Sequence, residues 1–188
     1  MACTSTSSDS LSDQRANMPV QRTVTLDTET TGISHRMGDR VIEIGAVELI
    51  DGRITGRKFH TFLQPGRPVH WAAQRVHGIS DAMLRGKPAF ADRALGLLAF
   101  LDGAEVVAHN ASFDIGFLDN ELRLSGIQTE LSQHCRITCS LRLARVRWPG
   151  LPNKLDDLLQ RLRIPHERAL HGALKDAQLL AQVIPYLR

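Results

Sequence analysis

Apolar and polar positions along the 188-residue chain follow two rhythms, a period of two and a period near 3.6, and the switches between them predict the elements. The first 20 residues, MACTSTSSDSLSDQRANMPV, follow neither rhythm and are rich in Ser, Thr and Asp. Such a segment buries too little to offset its ordering entropy, so 1–20 is expected to be a disordered extension and 21–188 one domain. Met18 offers a downstream translation start. Thr23 to Asp27 then reads as a short strand. Val41 to Ile50 follows, alternating around Ile42, Ile44 and Ala46, and Arg53 to Leu63 is a third strand. Asp51-Gly52 between the last two is a tight-hairpin dipeptide, so that pair is expected to run antiparallel.

From there the period lengthens. Phe90, Ala94, Leu97, Leu98 and Leu101 fall on one face of a helix from about Ala89 to Leu101, with Gly103 placed to end it. Glu105 to His109 is a brief apolar strand, and a helix from about Asp114 stops at Leu124, before Gly126. Cys135 to Thr138 predicts a fifth strand. Three helices finish the chain, at Leu141 to Val146, Leu155 to Leu162, and His171 or Gly172 to Val183, before Pro185. Leu155, Leu158, Leu159 and Leu162 make a core-facing stripe. Three strands, then strands alternating with helices, indicate an α/β or α+β domain around a mixed sheet.

Composition narrows the class only a little. A hydrophobic content of 43% suits a globular domain, and a formal charge of +3 permits a polyanionic partner. No run reaches the length of a membrane span, and the N-terminus does not read as a secretory signal. Cys3, Cys135 and Cys139 make no disulfide framework; reduced thiols in the cytoplasm are the preferred reading over a zinc site built on His134, Cys135 and Cys139.

The chemistry lies in four acids and a histidine: Asp27 and Glu29 in VTLDTETTG, Asp114 in HNASFDIGF, His171 and Asp176 in LHGALKDA. Asp27 and Glu29, two apart on a strand, share a face and can grip a metal together, with Gly32 freeing the turn beyond. Each residue alone has an ordinary reading. A D-x-E pair is usually a solvated strand end, and Asp114 can simply complement a helix dipole, worth about 0.3–1 kcal/mol. His109 and Asn110 are given supporting roles in orienting the turn, and Gly116 implies close packing against its helix. His171 and Asp176 are five apart, so they serve one site only if His171 stands at or before the first helical turn. Gathered together, such carboxylates repel by roughly 4 kcal/mol per pair at about 4 Å and an effective dielectric near 20. Divalent cations answer that repulsion, and an oxygen-rich set suits Mg²⁺ or Mn²⁺. Metal-assisted attack of water on a phosphodiester is the chemistry this predicts.

LDTETTG, DRVIEIGAVEL, VHGIS, HNASFDIGFLDNEL, TCSLRLAR and LHGALKDAQLLA, in this order from about Arg22 to Leu187, resemble the DnaQ-like exonucleases of the DEDDh type. Within these the chain is most similar to the epsilon, or proofreading, subunits of bacterial DNA polymerase III. The resemblance implies a ribonuclease H-like fold, a mixed five-stranded sheet flanked by helices with the first strand central. It implies that Asp27, Glu29, Asp114 and Asp176 bind two divalent ions and that His171 is the general base. Substrate contacts would come from Asp27, Glu29, Asp176, His77 in VHGIS, Thr30 and Phe113, with Thr31 as a further neighbour. The implied reaction removes nucleotides from a DNA 3′ end as 5′-monophosphates, in proofreading or repair, with a polymerase catalytic subunit as a partner. Epsilon subunits usually continue into a linker and a polymerase-binding tail, whereas this chain ends at Leu187-Arg188, so a tail-mediated grip is not expected. Ala72 also stands where some proofreading relatives carry Glu. Two other readings are an RNA exonuclease of the same superfamily and a non-catalytic nucleic-acid or polymerase-binding module.

Overall fold

The computed structural model describes residues 21–166 and 170–188; the expected extension 1–20 lies outside the described residues. Five strands, Arg22–Thr30 (β1), Val41–Ile50 (β2), Arg53–Phe62 (β3), Glu105–Ala108 (β4) and Arg136–Cys139 (β5), form one sheet in the order β3-β2-β1-β4-β5. β1 pairs antiparallel with β2 and parallel with β4, so the sheet is mixed and its first strand central. The β2–β3 hairpin turns at Asp51 and Gly52, whose φ of 49° and 77° are both left-handed, as a two-residue turn of the type I′ class needs.

β1 runs three residues past its expected end at Asp27. Thr28, Glu29 and Thr30 look like a strand ending in polar residues, yet they pair with Ile44, Glu43 and Val41 of β2. Helices are Trp71–His77 (α1), Asp81–Leu84 (α2), Ala91–Leu101 (α3), Ala111–Leu124 (α4), Ser140–Arg147 (α5), Leu155–Arg161 (α6) and Ala173–Val183 (α7). The apolar pattern does not predict α1 and α2. Of α1 only His77 is buried, so no apolar stripe marks it; His70 caps its start by accepting the Ala72 N–H, and Gly78 ends it. The helix around Asp114 begins three residues earlier than expected, at Ala111. None of the described helices is long and apolar enough to cross a membrane.

Alternation along β1 divides the interior in two. Val24 and Leu26, with Ile44, Ala46, Val106 and Ala108, face α3 and α4 and pack on Leu97, Leu101, Phe117 and Leu118. On the other face Val107 meets Leu158 and Leu159 of α6 and Leu180 and Val183 of α7. Each fully buried Val, Leu, Ile or Phe among them contributes about 1.5–3 kcal/mol. Polar Thr25, Asp27 and Glu29 of β1 fall on this second face, where α7 crosses the sheet. Thr25 Oγ1 donates to the Ala177 carbonyl at 2.8 Å. Gly45, opposite Asp27 on β2, makes that approach possible: a Cβ there would lie 2.2 Å from the Leu174 nitrogen. At the far end of the sheet Glu105 takes hydrogen bonds from Gln21, Thr138 and Arg188 and pairs with Arg136.

Candidate metal centre

β1 delivers Asp27 and Glu29 to the α7 face and Thr28 to the α4 face, because side chains alternate along a strand. Thr28 is turned to use: its N–H and hydroxyl both donate to Asp114 Oδ1, at 3.0 and 2.8 Å. Asp114 lies in the first turn of α4 and is 2% exposed. Burial pushes its carboxyl up to about 7, against the lowering effect of the Thr28 hydrogen bonds. Asn110 precedes α4 with a left-handed φ of 67°, which Asn tolerates, and this lets the chain turn sharply from β4 into the helix.

α7 brings the remaining acid. Asp176 stands in its first turn, 2% exposed. His171 precedes the helix, which begins at Ala173, so the rotation that a five-residue separation imposes along a continuous helix does not apply. The His171 N–H is tied to the Val76 carbonyl of α1 at 3.1 Å, and its Nδ1 lies 3.5 Å from Asp176 Oδ2. Glu29, His171 and Asp176 present ligand atoms that all lie within 4.8 Å of one another. Asp27, Glu29, Asp114, His171 and Asp176 line one cavity of about 310 Å³, with Phe113 on its wall. Phe113 is half-buried against Phe117, ring centroids 4.8 Å apart. The donor set, carboxylate oxygens with one imidazole, fits a hard divalent cation, and a cation there would favour the ionised form of Asp114.

Three of the residues expected at or beside the substrate, Thr30, Thr31 and His77, lie outside that lining. Thr30 is buried, its hydroxyl donating to the Gly32 carbonyl, and Thr31 likewise turns inward, to Asp39. His77 is buried at the end of α1, where its Nδ1 accepts the Ile79 N–H at 3.0 Å. Burial lowers its pKa; the Thr30 backbone and Glu43 oppose that shift and His171 adds to it, so His77 neighbours the histidine of the site. His109, given a supporting role, lines the cavity and has its Nδ1 2.9 Å from Ser140 Oγ. The room left by Gly116 holds the His35 ring, which packs edge-on to Phe117. Among the described residues His134, Cys135 and Cys139 form no ligand cluster. Cys135 Sγ donates to the Leu131 carbonyl, and burial, with Asp119 and Asp102 nearby, pushes its thiol up to about 11.

Reading the sequence misses Thr28, Lys154, Asp156 and Glu43. The first three line the cavity. Glu43 pairs with Glu29 across the β1–β2 ladder and is 5% exposed. Its Oε2 accepts the Ala173 N–H at the start of α7 and its Oε1 lies 2.8 Å from His60 Nε2. A carboxylate in the middle of the apolar run VIEIGAVEL was the available signal.

The fold and this site define an exonuclease of the ribonuclease H-like class. A family described as Exonuclease, named for RNase T, matches residues 24–184, and the chain belongs to that family. Its relatives include the DNA polymerase III subunit epsilon of Salmonella typhimurium, 49% identical over 170 residues, 87% of this chain and 70% of that protein. The protein of the same name from Escherichia coli K12 is 46% identical over the same shares. Among solved structures, exonuclease X in complex with 5′ overhanging duplex DNA superposes with a TM-score of 0.68 at 28% identity, covering 88% of this chain and 90% of that one. A product-bound exonuclease I, 17% identical with a TM-score of 0.74, shares the fold.

Proposed function

We propose that this chain is a 3′–5′ exodeoxyribonuclease that removes 3′-terminal nucleotides as nucleoside 5′-monophosphates, in proofreading or repair. The observation that carries the reading is the convergence of Asp27, Glu29, Asp114, Asp176 and His171 on one cavity. Asp27, Glu29, Asp114 and Asp176 would hold two divalent ions, Mg²⁺ or Mn²⁺. When bound, such ions supply an activated water and stabilise charge on the leaving 3′ oxygen. His171, half-exposed at the cavity edge beside Asp176, accepts the proton of the attacking water. Phe113 offers a face to the terminal base, a contact worth about 1–3 kcal/mol. The relatives' name supports a polymerase catalytic subunit as partner, and we place the enzyme's work on DNA 3′ ends in the cytoplasm. Residues 21–188 act as one exonuclease domain.

Purified protein with Mg²⁺ or Mn²⁺ is expected to shorten 5′-labelled single-stranded DNA from its 3′ end, faster than a matched RNA, and EDTA stops it. Asp27→Ala nearly abolishes hydrolysis while leaving the thermal transition cooperative. His171→Ala lowers the rate by about 10²–10⁴, the usual worth of a general base. DNA that stays full-length under both metals would defeat the reading.

A further inference from the structure

The metal cavity continues sideways into a second one of about 610 Å³, which lies between α5 and the loop leading into α6. The two share His109, Asn110 and Lys154. Arg145 of α5 lines the second cavity together with Leu141 and Leu151. Leu151 is 52% exposed, an apolar surface left open beside cations. Among the described residues Arg145 is engaged in no ion pair. Asp157 also borders this groove, but one of its oxygens accepts the Lys154 N–H at 2.8 Å.

Charge decides which stretch of a strand belongs here. With the scissile phosphate over the carboxylates, the terminal nucleoside ends in a hydroxyl and adds no further phosphate. Every nucleotide on the 5′ side adds one negative charge. Among the described residues Lys154 is the only lysine or arginine on the wall of the metal cavity, and it stands on the side shared with the groove. Arg145 extends that positive edge. Single strands are held by basic grooves that track the backbone, and the leucines beside these cations add apolar surface on which a base can rest.

Resting on the exonuclease reading, we propose that this groove holds the nucleotides immediately 5′ of the scissile phosphate, with Arg145 and Lys154 on backbone phosphates and Leu151 against a base. The polarity of the bound strand follows. It enters over the α5–α6 loop and ends toward Phe113 and His171.

Fluorescence anisotropy tests this with the full chain, 5′-labelled (dT)5, and EDTA to keep the strand intact. Wild type, Arg145→Ala and Arg145→Lys are titrated across a salt series. Each phosphate contact to a single strand contributes about 0.7 to the slope of log affinity against log salt. Arg145→Ala is expected to flatten the slope by about that amount and to weaken binding several-fold at low salt, with Arg145→Lys restoring the slope. Arg53→Ala, on the exposed β3 edge far from the groove, keeps the wild-type slope. An unchanged slope in Arg145→Ala, or an equal loss in Arg53→Ala, overturns the assignment. Cleavage of the same oligonucleotide in Mn²⁺ reads the exonuclease claim separately: a wild-type protein that binds with the expected slope but cuts nothing sinks that claim alone.

Discussion

Thr28 separates Asp27 from Glu29 in sequence and holds Asp114 from the other side of the strand. Each of the five residues proposed for the chemistry has an ordinary reading alone, and they become legible only as an ordered set of motifs that resembles a family. Thr28 and Glu43 do not, because their effect depends on which face and which register they occupy, and only the paired sheet fixes those. His77 illustrates the same limit: its motif is conspicuous, but its burial is a tertiary fact. That burial has a pH consequence. Its folded pKa lies below the ordinary value near 6.5, so the stability linked to neutral His77 is fully present above about 6.5 and is lost as pH falls through the folded value. His77→Asn, which keeps an acceptor for the Ile79 N–H, is expected to lose less stability between pH 8 and pH 5.5 than wild type. Urea midpoints at the two pH values, in EDTA, check this; equal losses would remove His77 as a contributor.

At the scale of elements, α7 is where fold and site meet. It rests on Gly45, is bound to Thr25, and has the Glu43 carboxylate at its first N–H. The contact that a Cβ at position 45 would make is with backbone, which cannot swing aside. Gly45→Ala is therefore expected to cost about 1–3 kcal/mol, the usual range for overpacking, and to lower the exonuclease rate at least tenfold by lifting Asp176. Denaturation and single-turnover kinetics measure the two effects; a stable variant with wild-type turnover would show that α7 needs no such close seat. Period-two and 3.6-residue patterns predict β2 with its observed ends and the helix ending at Leu101. They stop β1 early, since threonine and glutamate covered on both faces read like a strand meeting solvent. They miss α1 altogether, since a helix with one inward residue has no stripe to detect.

For the whole molecule, the proposed ions are also structural ligands. A species that binds the folded state and not the unfolded one stabilises it by about 2.7 kcal/mol at a hundred times its dissociation constant. For a domain of this size that is on the order of 5–10 °C in melting temperature. Mn²⁺ is expected to raise the transition by that order in wild type and by much less in Asp27→Asn, whereas the mutant without metal melts at or above wild type because one repulsive charge is gone. Calorimetry with and without metal decides it; an identical Mn²⁺ shift in both proteins would remove Asp27 from the ligand set. The mixed sheet follows from element order, while the central place of β1 came only from family resemblance, because short apolar strands do not declare their neighbours. Glu105, finally, gathers Gln21 and Arg188 onto one rim. Arg22 and Glu29 are seven residues apart on β1, so that rim lies about 23 Å from the acids at the strand's other end. A fluorophore, affinity handle or fused domain attached near either point would sprout from the same remote corner, leaving the nucleotide entrance unobstructed.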